Sequence, residues 1–462
     1  MFDKPTRTQR GASNAKPADN TKEALKSASV SRTSAEPDTD VQGEMLDAKS
    51  AALMLGVKTQ TLYAYVSRGL LRAAPQRGTQ ANLYHREEIE ALKTNGRNGS
   101  NGSNTISRAE SAVGPVRWSE TSVLQTAITS IDQSGPRYRG KLAVDLVNMY
   151  RPFEDCIELL WNGVLPIQSV PWQPAFIPAG FGDFSGMIGK VGKNSNSRQL
   201  LAMIAQAYST CTGHNPEAVL GAPVLAGRHL IQVLAPTFGL LRARAHYTPS
   251  RKAESIAAII AESGGGARSD EAISALNACL ILCADHELAP STFAVRIASS
   301  AGADIFSCIS IALGTFEGPF SGLGCDESER MLRSADSPKA YVTQLKEQVR
   351  RKQTLLGYDH PLYPSGDPRA MFLLDLARNF GGKNNPGRLV MECIDAATEE
   401  VGTAPSLAIG LVAIAVALGL PERSPGALMA IGRSSGWLAH AFEQRLAGSL
   451  TRPRTRYIGL SS

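Results

Sequence analysis

Three stretches concentrate side chains able to do chemistry. LILCADHELAPST (280–292) begins as an apolar helix and then sets Asp285, His286 and Glu287 side by side. LLGYDHPLYPSGDPRA (355–370) carries His360 and Arg369. AIGRSSGWLAHAFEQ (430–444), followed by LTRPRTRYIG (450–459), carries Arg433 and Arg452. Taken singly, each has a plain structural explanation. A histidine at the end of a buried helix is usually a satisfied core residue, and an isolated arginine usually closes an ion pair. The chemistry open to the arginines is anion recognition, because a guanidinium fork matches a carboxylate through two parallel hydrogen bonds. Consecutive helical residues diverge by about 100°. Asp285 and Glu287 are therefore expected to point away from His286 and to act as structural hydrogen-bonding groups. His85, His214, His229, His246 and His440 are expected to be structural. No His/Cys/Asp/Glu cluster has metal-ligand spacing, so no metal is expected.

The elements that must position these residues follow from composition. A chain of 462 residues is too long for one typical domain. Hydrophobic residues make up 43% and aromatics only 6%, which favours tightly packed helices over sheets. The net charge of +6 with a pI near 8.9 permits a nucleic acid or an anionic metabolite as partner and proves neither. Seven scattered cysteines without a CxxC pair suggest a reducing compartment. No secretory signal is evident at the N-terminus. The longest apolar run, 406–420, reads as a buried core helix, since spanning a bilayer takes roughly 20 residues. A cytoplasmic protein without a membrane segment is expected. Residues 1–43 read as a disordered tail, 44–93 as a compact island, 94–116 as a Gly/Asn/Ser linker, and 117–462 as one long region of successive helices with little strand pattern.

The island contains LDAKSAALMLGVKTQTLYAYVSRGLL (46–71). Its pattern predicts a helix over Ala48–Leu55, a turn at Gly56 and Val57, and a second helix from Thr59 to Gly69. A hairpin-like wing over 70–84 and a closing helix complete it. Leu53, Leu55, Val57, Leu62 and Val66 are expected to form its core. This resembles a MerR- or excisionase-type winged helix-turn-helix, whose second helix enters the major groove. The resemblance implies that Gln60, Thr61 and Tyr63 face bases, while Lys58, Arg68, Arg72 and Arg77 meet phosphates. A docking module that does not bind DNA is the alternative.

In the large region, YRG (138–140), FEDCIELLWNGVLP (153–166) and the three stretches above occur in an order that resembles citrate synthase from about residue 118 to 459. The resemblance implies a mainly α-helical homodimer, with a small domain over roughly 323–418 that closes on a larger one. It implies that His286 hydrogen-bonds oxaloacetate, that His360 polarises its ketone, and that Arg369, Arg433 and Arg452 bind its carboxylates. Arg452 would reach the partner subunit's site. Acetyl-CoA would be a co-substrate, and no cofactor is implied.

Two positions depart from the family's pattern. Joining an acetyl thioester to a ketone needs a base for the methyl proton and a donor for the enol oxygen. In GPFSG (318–322), Ser321 stands where the family has a histidine. In APSLAIG (404–410), Ala408 stands where it has the catalytic aspartate. Serine can still donate a hydrogen bond, but alanine can transfer no proton. A positioned acid or base contributes about 10²–10⁴-fold, so the expectation is impaired activity. Glu399, Glu400, Asp326 and Glu327 are the carboxylates near enough in sequence to substitute. Three readings are open: a citrate synthase-type acyltransferase, a carboxylate-sensing DNA-binding regulator on an inactive citrate synthase fold, and a subunit that pairs with an active paralogue.

Overall fold

The computed structural model describes residues 45–57 and parts of 59–89, then 124–192, 195–318, 322–380 and 385–452. Two compact units divide the chain at Ser107 and Arg108.

In the N-terminal unit, β1 (Met45–Asp47) leads into α1 (Ala48–Leu55), and β2 (Ala73–Pro75) and β3 (Asn82–His85) come after it. Asp47 caps α1 by accepting from Ser50 N at 2.7 Å. Gly56 closes the helix with φ +70°. The wing exists, with Ala74 opposite Leu83, and it has a strand more than expected: the sheet order is β1-β3-β2. Among the described residues, the core of this unit is Ala51, Ala52, Leu62, Tyr84 and Ile89, with Leu55 packed against it. Leu53 is 85% exposed, which corrects its assignment to the core. Positions 51, 52 and 55 share one face of the helix, and 53 falls on the opposite side. Val66 and most of the second helix lie outside the described residues.

The C-terminal unit opens with a small antiparallel sheet that the sequence pattern does not predict: β4 (Thr129–Asp132), β5 (Gly135–Tyr138) and β6 (Lys141–Leu142). Its strands are too short to show alternation. YRG spans the turn from β5, where Arg139 donates to Leu160 O from Nε and Nη2 at 3.2 and 3.0 Å. Helices α2 (Ala143–Asn148), α3 (Phe153–Asn162), α4 (Phe181–Val191), α5 (Ser197–Thr212), α6 (Pro216–Val219) and α7 (Pro223–Leu234) succeed it. Next come α8 (Ile256–Gly264), α9 (Asp270–Cys283), α10 (Pro290–Ser300), α11 (Ile305–Thr315), α12 (Gly322–Arg333) and α13 (Pro338–Arg350). The last four are α14 (Pro368–Arg378), α15 (Pro386–Val401), α16 (Leu407–Ala417) and α17 (Ser424–Ala447).

α16 is buried at every position, as its all-apolar sequence requires. It lies between α14, α15, α12 and α17. One stretch, Pro223–Leu241, is long and apolar enough to cross a membrane by length and composition. Its most apolar window is 78% buried within the fold, as a core helix would be. α17 runs through the middle of the unit against α3, α9, α10, α11 and α12. Two of its glycines allow α9 to touch it. A Cβ at Gly432 would lie 2.6 Å from Cys283 Cβ, and one at Gly436 would lie 2.5 Å from Ala284 O. That close approach sets Arg433 directly against the end of α9.

Candidate active site

α9 stops at Cys283, so Asp285, His286 and Glu287 stand just beyond it rather than on its surface. The expected divergence along a helix does not apply, because Glu287 takes a left-handed φ of +55°. The outcome for Asp285 is nevertheless structural. Its carboxylate accepts from Glu287 N at 3.2 Å and pairs with His440 Nε2 at 3.4 Å, with both side chains fully buried. Tyr138 OH donates to Ile281 O at 3.0 Å and braces the same corner. His286 is left free of the Asp285 network, and its Nε2 meets Tyr363 OH at 3.0 Å.

The loop before α14 brings the second histidine to the first. The rings of His286 and His360 sit edge to face, 5.3 Å between centroids. The loop is stitched to the segment before α16. Asp359 N donates to Ala404 O, and Ala404 N to Asp359 Oδ1, each at 2.8 Å. Ser406 N donates to Gly357 O at 2.9 Å. These bonds hold the His360 loop and the start of α16, where Ala408 is buried, as one piece.

α14 begins at Asp367-Pro368-Arg369, a capping aspartate followed by proline at the first helical position. Asp367 Oδ1 accepts from Arg369 N at 3.0 Å and from Arg369 Nε at 3.0 Å. Its Oδ2 accepts from Arg369 Nη2 at 2.8 Å and from Leu407 N at 3.2 Å. The arginine fork expected to grip a ligand carboxylate bidentately is thus already engaged by Asp367. What remains is Arg369 Nη1, a buried donor with no partner. Arg433 donates from Nε to Cys283 O at 2.8 Å and is also buried.

Electrostatics follow from burial beside two cations. Burial, then Arg369, depresses His360 to about 4. Burial, with Arg369, Arg433 and His360, holds His286 well below the ordinary histidine range. Both rings are therefore neutral at physiological pH. Burial pulls the Arg369 guanidinium down, but Asp367 outweighs it and leaves Arg369 above its ordinary value. Burial lowers Arg433, and Asp285 only partly offsets this. His360 Nδ1 accepts from Leu362 N at 3.2 Å, which leaves its proton on Nε2. Two neutral rings able to donate hydrogen bonds stand beside two buried guanidiniums, one of them paired with Asp367, and such a cradle can chemically receive the oxygen atoms of an anion.

Of the expected site residues, His286, His360, Arg369 and Arg433 are brought together, and Ala408 heads the adjoining helix. Arg452 is exposed at the end of the described chain. Ser321 lies outside the described residues, as do Lys58, Gln60, Thr61, Tyr63, Arg68, Arg72 and Arg77. Three of the four substitute carboxylates are engaged elsewhere, and the fourth faces solvent. Glu400 pairs with Lys346 at 2.9 Å, Asp326 with Arg198 at 2.8 Å, and Glu327 with Arg330, while Glu399 is exposed. Asp367 is the carboxylate bonded to the head of α16, and its pairing with Arg369 makes it a poor base. Tyr363 and Asp367 are the contributors that sequence reasoning missed, while His440, expected to be structural, braces Asp285. An aspartate before proline at a helix start was a legible signal for Asp367 alone. Among the described residues no group of His, Cys, Asp and Glu could hold a metal ion.

The helical fold with this cradle defines the class, and the family comparison agrees: the model for "Citrate synthase, C-terminal domain" matches residues 117–454, and the chain belongs to the citrate synthase family. A "Helix-turn-helix domain" model matches residues 45–97. Citrate synthase 2 of Bacillus subtilis is 31% identical over 190 residues, 40% of this chain and 51% of that protein. Citrate synthase of Saccharolobus solfataricus is 32% identical over 197 residues, 40% of this chain and 52% of that protein. The chain thus spans about half the length of these relatives. Among solved structures, the Thermoplasma acidophilum citrate synthase in a ternary complex with carboxymethyl coenzyme A and oxaloacetate superposes with a TM-score of 0.65. It shares 23% identity over 74% of this chain and 95% of that one, a likeness of fold.

Proposed function

We propose that this protein is a citrate synthase-family chain that binds oxaloacetate or citrate in the cradle of His286, His360, Arg369 and Arg433, with impaired synthase chemistry. The observation that carries the reading is the convergence of two neutral imidazoles and two buried guanidiniums beside a helix that begins Leu407-Ala408. His360 Nε2–H suits a donor to a ketone oxygen, and Arg433 with Arg369 Nη1 suits the carboxylates. Ala408 supplies no base for the methyl proton of acetyl-CoA, and Ser321 replaces the enol donor. The segment after His360 reads Pro361-Leu362-Tyr363, and the lack of a basic residue there weakens the attraction for the CoA phosphates. A homodimer with Arg452 reaching the partner's site belongs to the same proposal.

The test is CoA release by the purified protein given oxaloacetate and acetyl-CoA, with Arg369→Ala as control. Release no faster than the control, together with oxaloacetate binding that Arg369→Ala abolishes, is the expected result. Ala408→Asp should then raise release, within the roughly 10²–10⁴-fold that a positioned base contributes. Release at an ordinary enzymatic rate, lost in the control, would refute the impaired-activity reading.

The helix-turn-helix match at residues 45–97 favours a second reading, in which ligand binding biases DNA affinity. A two-fold dimer would then set two recognition helices on a palindromic site. Citrate or oxaloacetate should change DNA affinity in a salt-dependent assay, and Arg369→Ala should remove that response while basal binding persists. A ligand response that survives Arg369→Ala would count against the cradle.

A further inference from the structure

Tyr363 connects the groups of the cradle. Its hydroxyl lies 3.0 Å from His286 Nε2. Its ring sits 5.2 Å from that of His360, and Arg369 Cζ lies 5.4 Å from its centroid. The side chain is wholly buried. Burial pushes its phenol up to about 12, so the hydroxyl keeps its proton at physiological pH.

The direction of the hydrogen bond follows from the partners available. Tyr363 carries one proton, and His286 Nε2 is the hydroxyl's one hydrogen-bond partner among the described residues. Were Nε2 protonated, the hydroxyl would accept from it and leave its own proton buried without an acceptor. An unmet buried donor is destabilising, because it gives up its bond to water and gains none in return. With Tyr363 as donor and Nε2 as acceptor, the buried hydroxyl's proton is met, and the ring's own proton falls on a side chain that is only partly buried. Neutral His286 then carries its hydrogen on Nδ1, since the partner on one ring nitrogen fixes the state of the other.

We propose that Tyr363 is a positioning residue that holds His286 as the Nδ1–H tautomer, so that Nδ1–H is the donor offered to a keto or carboxylate oxygen in the cradle. The proposal rests on the dicarboxylate reading and deepens it. His360 is fixed in the opposite sense, with Nδ1 accepting from Leu362 N and Nε2–H free. The two rings meet the ligand with donors from opposite ring nitrogens. The wrong tautomer of His286 would turn a lone pair toward the ligand's oxygen and replace attraction by repulsion.

Histidine-selective ¹⁵N labelling of the full-length protein reads the tautomer from the ring nitrogen shifts, with His286 assigned by the signals lost in His286→Gln. The ligand-free wild type should show Nδ1 protonated and Nε2 bare. Tyr363→Phe should move His286 toward Nε2–H and weaken oxaloacetate binding, read by calorimetry, about 2- to 10-fold, the range of one net hydrogen bond. A protonated Nε2 in the wild type overturns the proposal, and so does an unchanged tautomer in Tyr363→Phe. A shifted tautomer with unchanged oxaloacetate affinity overturns the role toward the ligand. The wild-type spectrum decides alone if Tyr363→Phe does not fold. A wild type that shows Nδ1–H and binds no oxaloacetate would remove the ligand reading while the tautomer assignment stands.

Discussion

Replacing Asp367 by asparagine removes one charge and almost no volume from a buried, bidentate ion pair. Asp367 and Arg369 are joined through Nε at 3.0 Å and Nη2 at 2.8 Å, with side chains 0% and 2% exposed. Asparagine can accept from one of these donors, but its own NH₂ must then face the other. The buried guanidinium is left with an uncompensated charge and a second unmet donor beside Nη1. Breaking a buried pair from one side costs about 3–5 kcal/mol. Removing both partners, as in Asp367→Asn with Arg369→Met, should recover most of that loss, because no charge then stays behind. The assay is urea unfolding at pH 7, followed by tryptophan fluorescence and far-UV circular dichroism so that departures from two-state behaviour are visible. Burial pushes the Asp367 carboxyl up, and Arg369 outweighs burial to hold it below its ordinary value. A carboxylate depressed in the folded state contributes stability that is complete above its unfolded pKa and is lost as pH falls through the folded value. The gap between wild type and Asp367→Asn should therefore be constant above about pH 4 and close below it. A loss under about 1 kcal/mol at pH 7 would refute the reasoning, for it would mean that water or a displaced loop meets Arg369 when Asp367 cannot.

The same geometry sets further outcomes. Gly436→Ala places a Cβ 2.2 Å from Asp285 Oδ1 and 2.5 Å from Ala284 O. It should destabilise the fold by about 1–3 kcal/mol or more in denaturant titration and weaken oxaloacetate binding through the displaced His286 corner. His360, depressed to about 4 by burial and then Arg369, should show no ring titration by NMR between pH 8 and 5. Being neutral when folded, it contributes stability that is complete above about pH 6.5 and declines as pH falls toward the folded value. Leu280→Ala, at a wholly buried position of α9, should cost about 2–5 kcal/mol. Glu400→Ala breaks a pair whose side chains are half exposed. It should change stability by less than about 1 kcal/mol and leave any CoA release unchanged, and a loss of release would identify Glu400 as the missing base.

Much of the architecture was readable from the chain alone, and the reason is local. The uniformly apolar stretch 407–417 packs as the buried helix expected of it, and the turn expected at Gly56 closes the helix over Ala48–Leu55. The order of the motifs identified the family, and with it His286, His360, Arg369 and Arg433 as members of one site. Leu53 was misassigned because its face depends on a rotation about the helix axis that two neighbouring alanines decide. The sheet of β4, β5 and β6 was missed because strands of two to four residues carry no period. What only the tertiary structure decided is which partner each polar group keeps. Asp367 reaches Leu407 N across 40 positions, His440 finds Asp285 across 155, and Tyr363 meets His286 across 77. Those meetings depend on helix contacts such as Gly432 and Gly436 against the end of α9, which no local pattern encodes. They decide that the Arg369 fork is turned inward, that both histidines are neutral, and on which nitrogen each carries its proton. Residue types fix what chemistry a chain can attempt, but protonation and hydrogen-bond direction are set by burial and by neighbours distant in sequence.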